Sequence, residues 1–327
     1  MNIFKSKNIF FILPLLTLGM FSCSSKMMSP GASPEPSLHG FRPLPPPDPK
    51  LSKHLGEIVQ EAGLDQMTPA SENPDNEDEW SSICLVDISD INNPVVAGWK
   101  EDNFIYPASA YKLYVLGEAV RQIVAGEISL DGEIIVKEHN VRRGDRIEPG
   151  EKIAVAKILR LMMMYSDNSA SNEAIDLVDR ENASELLRKL GCEGSEVTRK
   201  FLPRSKEDEG YADVRSTTSN ALHFATYLWA IETGAIGGGR GRGLAKAFMS
   251  MRQTGKDRME AGIPQSATIY SKTGTWNIFT AEAALIEDGE MKYILCAIVP
   301  MRSEEANPKI AELSRRVYEL IRKRNKL

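Results

Sequence analysis

Apolar residues fall into short, strand-length runs in two separated parts of the chain. Residues 82–87 carry Ile83, Cys84, Leu85 and Val86 in succession, and residues 94–99 make a second run after the turn at Asn92-Asn93. Runs of the same kind return at residues 267–271, 280–286 and 291–299, with Glu287-Asp288-Gly289 as the hairpin turn between the last two. Between the two groups the period lengthens to that of helices, in a block that begins near Ser109 and continues with breaks to about Gly234. Residues 51–63 read as a short amphipathic helix, and residues 310–322 as another with Leu313, Val317, Leu320 and Ile321 on its apolar side. Residues 65–79 are acidic and polar and read as a loop, and Gly237-Gly238-Gly239-Arg240-Gly241 as a flexible surface turn. This order predicts an α/β (α+β) chain: one five-stranded sheet flanked by the terminal helices, with an all-helical lobe (about 109–250) inserted and a site between the lobes.

The first 50 residues stand outside that pattern. Lys5 and Lys7 precede an apolar stretch, residues 9–21, broken by Pro14, Thr17 and Gly19. It is too short to span a bilayer comfortably and reads as a secretory signal over residues 1–22. Met20-Phe21-Ser22-Cys23 resembles a bacterial lipoprotein processing box, with Met20 where Leu is usual. That resemblance implies a lipid on Cys23, an exported protein of the bacterial cell envelope and a membrane-anchored Pro/Ser-rich tether over residues 23–50. A single domain over residues 51–327 follows.

Composition narrows the chemistry. The 327 residues carry a formal net charge of −5, and no basic stripe with interleaved aromatics offers a nucleic-acid footprint. Beyond Cys23, Cys84, Cys192 and Cys296 have no paired spacing; buried free thiols are the default, and export would permit a Cys84–Cys296 bridge. His39, His54, His139 and His223 are scattered, without metal-ligand spacing or a Gly-x-Ser-x-Gly elbow, so neither a zinc hydrolase nor a Ser-His-Asp enzyme is indicated. No metal or organic cofactor is implied.

Three short strings suggest covalent catalysis. In Ser109-Ala110-Tyr111-Lys112 the serine sits where a helix begins, and a spacing of three places Lys112 one turn along on the same face. Tyr111, Leu113, Tyr114 and Leu116 surround the lysine. A desolvated amine favours its neutral form and can then accept a hydroxyl proton. Ser166-Asp167-Asn168 interrupts two helical runs, with Asp167 holding the turn through main-chain hydrogen bonds. Lys272-Thr273-Gly274 closes the strand at 267–271, where a strand edge can align a peptide-like substrate and Gly274 permits close approach.

Taken together and in this order, the three strings resemble those of the class A β-lactamases and penicillin-binding enzymes. The resemblance implies a β-lactamase/transpeptidase-like fold with an antiparallel sheet and an acyl-enzyme on Ser109, with Lys112 as its base. By the same resemblance Ser166 relays a proton to the leaving group and Asn168 binds the substrate amide. Lys272 and Thr273 would hold a substrate carboxylate, and the N–H groups of Ser109 and Thr275 would form the oxyanion hole. The chain departs from class A enzymes in one respect. Their loop glutamate, in a Glu-x-x-Leu-Asn pattern, falls at Arg204 when counted from Val197-Thr198-Arg199. Glu207, Asp208 and Glu209 lie nearby in what reads as a solvated turn, and Glu207 is the candidate replacement. With such a base the chain would hydrolyse β-lactams, the leading expectation. Without one it would act on D-alanyl-D-alanine ends of peptidoglycan stem peptides, or serve as a non-catalytic cell-wall binding or β-lactam-sensing lipoprotein.

Overall fold

The computed structural model describes residue 38 and residues 40–69 and 79–325. The signal segment and Cys23 lie outside these residues. Helix α1 (Pro49–Glu61) starts where the Asp48 carboxylate accepts from Leu51 N at 2.7 Å and Pro49 presets the first turn. Strands β1 (Met67–Thr68) and β2 (Glu79–Trp80) pair across a segment expected to be loop throughout.

β3 (Ser82–Asp87), β4 (Val95–Trp99), β7 (Thr268–Trp276), β8 (Phe279–Asp288) and β9 (Met291–Pro300) form the five-stranded antiparallel sheet, in the order β4-β3-β9-β8-β7. The continuous apolar runs reflect burial of both faces. Cys84 and Val86 of β3, with Ile294, Cys296 and Ile298 of β9, point into the core shared with the helical lobe. Ile83, Leu85, Leu295, Ala297 and Val299 face a second core under the terminal helices. Helix α8 (Ser303–Arg324) covers that core with Ile310, Leu313, Val317 and Ile321, beside Leu51, Leu55 and Val59 of α1. Cys84 and Cys296 stand opposite each other as buried free thiols, and Cys192 is also buried and free.

The helical lobe contains α2 (Lys112–Ala125), α3 (Val155–Met164), α4 (Asn168–Val178), α5 (Arg180–Lys189), α6 (Ala221–Glu232) and α7 (Gly238–Ser250). A small ladder of β5 (Glu133–Ile135) and β6 (Lys152–Ala154) joins them. The glycine patch is not a surface turn; it opens α7. A Cβ at Gly241 would lie 2.2 Å from Ile236 O and 3.3 Å from Val120 of α2, so the glycines permit close helix contact. Two hairpin details also differ from expectation. Glu287 and Asp288 remain in the β8–β9 ladder, which leaves Gly289 and Glu290 as the turn, with Gly289 at φ 61°. Helix α8 starts at Ser303, seven positions before the expected 310, because its first turn is acidic and polar rather than periodic.

Candidate active site

Ser109 lies in a 3-10 turn, Ala108–Tyr111, immediately ahead of α2, rather than at the start of the α-helix itself. In such a turn residues at i and i+3 lie on one face, which puts Lys112 on the side of Ser109, with its amine bound to the Ser166–Asn168 turn. Ala108 adopts φ 46°, a left-handed conformation in the residue that presents the serine.

Gly274 explains why β7 continues through the Lys-Thr-Gly string to Trp276 instead of ending before it. A Cβ there would lie 2.3 Å from Pro107 O, 2.8 Å from Ala110 N and 3.0 Å from Ser109 N. The edge strand therefore packs its backbone directly against the serine turn, and only glycine fits. This contact brings the third string to the first. Arg258, which sequence reading did not single out, fixes the strand from the other side. Its guanidinium donates to Gly274 O and Ala281 O, both at 3.0 Å, and to Thr275 Oγ1 at 2.5 Å.

The second string arrives between α3 and α4. Asp167 caps α4 by accepting from Ala170 N at 2.8 Å, and its other oxygen accepts from Arg146 N at 2.9 Å. Asp167 thus holds the turn, while Ser166, at φ 57°, is turned toward the two lysines. Lys112 Nζ donates to Ser166 O at 2.5 Å, Ser166 Oγ at 3.2 Å and Asn168 Oδ1 at 2.8 Å. Lys272 Nζ reaches the same Ser166 Oγ at 3.0 Å and Thr273 O at 2.6 Å. Thr273 Oγ1 in turn meets Thr254 Oγ1 at 2.9 Å.

Both lysines are buried, and their electrostatics follow from that. Burial holds the Lys112 amine well below the usual lysine range, and the neighbouring Lys272 charge adds to the effect. Burial, with Arg252 and Arg258 behind it, brings Lys272 down to about 7, against the opposing pull of Glu282. Glu282 stands opposite Thr273 in the ladder and accepts from Ser271 Oγ at 2.8 Å and Met259 N at 3.1 Å. A neutral Lys112 can accept a proton from a hydroxyl, and the Lys112–Ser166–Lys272 chain can pass one onward.

The loop over residues 197–218 is built differently from the solvated turn expected at 206–210. The Glu207 side chain is fully covered; one oxygen accepts from Lys200 N at 3.0 Å and sits 3.6 Å from Arg199 Nε, and the other is 3.5 Å from Arg180. Asp208 pairs with Arg180 and with the buried Lys200, whose amine also holds Asp176 at 2.7 Å. Buried charges require such partners, so the acidic cluster ties the loop to α4 and α5. Arg204, at the position counted for the missing glutamate, is exposed and donates to Ala212 O at 2.7 Å.

A cavity of about 520 Å³ opens beside this cluster, lined by Tyr106, Tyr111, Phe201, Trp276 and residues of the loop. Tyr111 stacks on Phe201 at 4.7 Å, and the Lys112 amine lies 4.1 Å from the Phe201 ring centre. Arg258, Glu282 and Thr254 escaped the sequence reading because they come from outside the three strings and meet only through strand register and an irregular segment.

A model of the beta-lactamase enzyme family matches residues 75–321. The β-lactamase AST-1 of Nocardia asteroides is 29% identical over 182 residues; the match covers 54% of this chain and 57% of that protein's length, so the chain spans little more than half of this relative. Among solved structures, PBP-A superposes with a TM-score of 0.71 at 20% identity, covering 86% of this chain and 99% of that one. A mutant of PBP-A, solved as an acyl-enzyme complex with penicillin G, gives 0.69 at 19% identity, over 86% and 100% of the two chains.

Proposed function

The chain belongs to the beta-lactamase enzyme family, and on that premise we propose that it is a serine hydrolase that opens β-lactam amide bonds through an acyl-enzyme on Ser109. The observation that carries this reading is the shared Ser166 hydroxyl, 3.2 Å from Lys112 Nζ and 3.0 Å from Lys272 Nζ, beside the serine turn. Neutral Lys112 takes the Ser109 proton as the hydroxyl attacks the amide carbonyl. The N–H groups of Ser109 and Thr275 stabilise the oxyanion, held at the distance that the Gly274 contact sets. Ser166 passes a proton to the nitrogen as its bond to the carbonyl breaks, Asn168 receives the acyl-side amide, and Lys272 with Thr273 holds the carboxylate on the nitrogen side of that bond.

Release of the acyl group needs a water and a base. The oxygens of Glu207 are engaged by Lys200 N, Arg180 and Arg199, so we assign Glu207 to holding the loop instead of activating water. That engagement favours a second reading: a penicillin-binding enzyme whose acyl adduct is long-lived and whose natural substrates are D-alanyl-D-alanine ends of peptidoglycan stem peptides. We also propose export to the cell envelope with a lipid anchor at Cys23, on the strength of the N-terminal string alone. Stopped-flow kinetics with a chromogenic cephalosporin separates the two enzyme readings. Steady turnover supports the β-lactamase, a single-equivalent burst that then stalls supports the penicillin-binding enzyme, and absence of both excludes each.

A further inference from the structure

The cavity beside Ser109 has an unusual charge balance. Arg142, Arg199, Lys200 and Arg204 line it, and among the described residues no acidic side chain does. Lys200 is neutralised by Asp176 and Asp208, and Arg199 lies near Glu207. The other two are not offset in this way. Arg142 donates to Phe201 O at 3.3 Å, and Arg204 to Ala212 O at 2.7 Å and Val214 O at 3.2 Å; these partners are main-chain carbonyls, which leave the positive charge standing.

Position along β7 says which half of a substrate meets this charge. The nitrogen side of the substrate, with its carboxylate, is held at Lys272 and Thr273, and the cavity lies at Trp276, three residues beyond Thr273 along the same edge. At about 3.3 Å per residue that is about 10 Å, the reach of an acyl side chain extending away from Ser109. Tyr106, Tyr111, Phe201 and Trp276 supply apolar walls around it, while Arg142 and Arg204 are themselves exposed, so their pull on a carboxylate is open to screening by salt.

We propose that this cavity selects acyl groups bearing their own carboxylate, so that the preferred ligand is a dianion with one carboxylate at Lys272–Thr273 and the other at Arg142 and Arg204. The preference rests on the reading of Ser109 as the acylated residue only for the direction in which the ligand lies. Binding can therefore be measured without acylation. The probes are carbenicillin and benzylpenicillin, which differ by one side-chain carboxylate, titrated calorimetrically into the Ser109→Ala protein. The dianion should bind about tenfold more tightly at about 50 mM salt, and the advantage should shrink steeply by about 500 mM. In Arg142→Gln/Arg204→Gln on the same background the ratio should fall to about one, and Arg142→Lys/Arg204→Lys should restore part of it. Equal affinity for the two penicillins, no measurable binding of either, or a preference that is insensitive to salt would overturn the proposal. Mass spectrometry of the unsubstituted protein with benzylpenicillin reports separately on acylation, so a missing adduct there counts against Ser109 and leaves the charge preference to the titration.

Discussion

Ser166 Oγ lies within hydrogen-bonding distance of two buried lysines, both held below the usual lysine range, and this sets a pH dependence. Burial holds Lys112 well below the usual lysine range, which suits it to accept a proton, and brings Lys272 down to about 7. Below that value Lys272 is an ammonium able to hold a carboxylate; above it the charge is lost. The second-order rate of acylation should therefore fall as pH rises through about 7, and Lys272→Arg should abolish that alkaline limb by keeping its charge. Gly274 gives a steric prediction. An alanine there would press on Pro107 O, Ala110 N and Ser109 N. Gly274→Ala should cost about 1–3 kcal/mol in urea unfolding and lower acylation about a hundredfold by displacing the oxyanion donors. At this scale Ser109, Lys112, Ser166 and Lys272 were legible because each belongs to a contiguous string. Arg258 and Glu282 were not, since nothing in the residues around them announces that they will lie behind β7.

At the scale of elements, the loop at 197–218 carries most of what was misread. A run of Lys206-Glu207-Asp208-Glu209 looks solvated in one dimension, but the partners that bury it, Arg180 on α5 and Asp176 on α4, are distant in sequence. If Glu207 anchors the loop, Glu207→Gln should lower stability by about 1–3 kcal/mol, read from the urea midpoint. It should change acylation and deacylation by similar factors. Loss of a water-activating base would instead slow deacylation selectively, by about a hundredfold or more. The Gly237–Gly241 patch was misread for a related reason: glycine signals a turn locally, and its role against Val120 and Ile236 exists only once α2 and α7 are packed together.

Across the whole molecule, the strand-length apolar runs and the terminal helices were readable because both faces of the sheet are buried, one under α1 and α8 and the other under the helical lobe. The site forms where that lobe delivers Ser109 and Ser166 against the edge strand β7, so its geometry depends on both cores. We propose that this junction makes Ser109 an acylated nucleophile. Intact-protein mass spectrometry after brief exposure to benzylpenicillin, with peptide mapping, is the decisive test. One equivalent of penicilloyl mass on Ser109, absent from Ser109→Ala, is the predicted result. Labelling at another residue, undiminished labelling of Ser109→Ala, or neither adduct nor hydrolysed penicillin would contradict it.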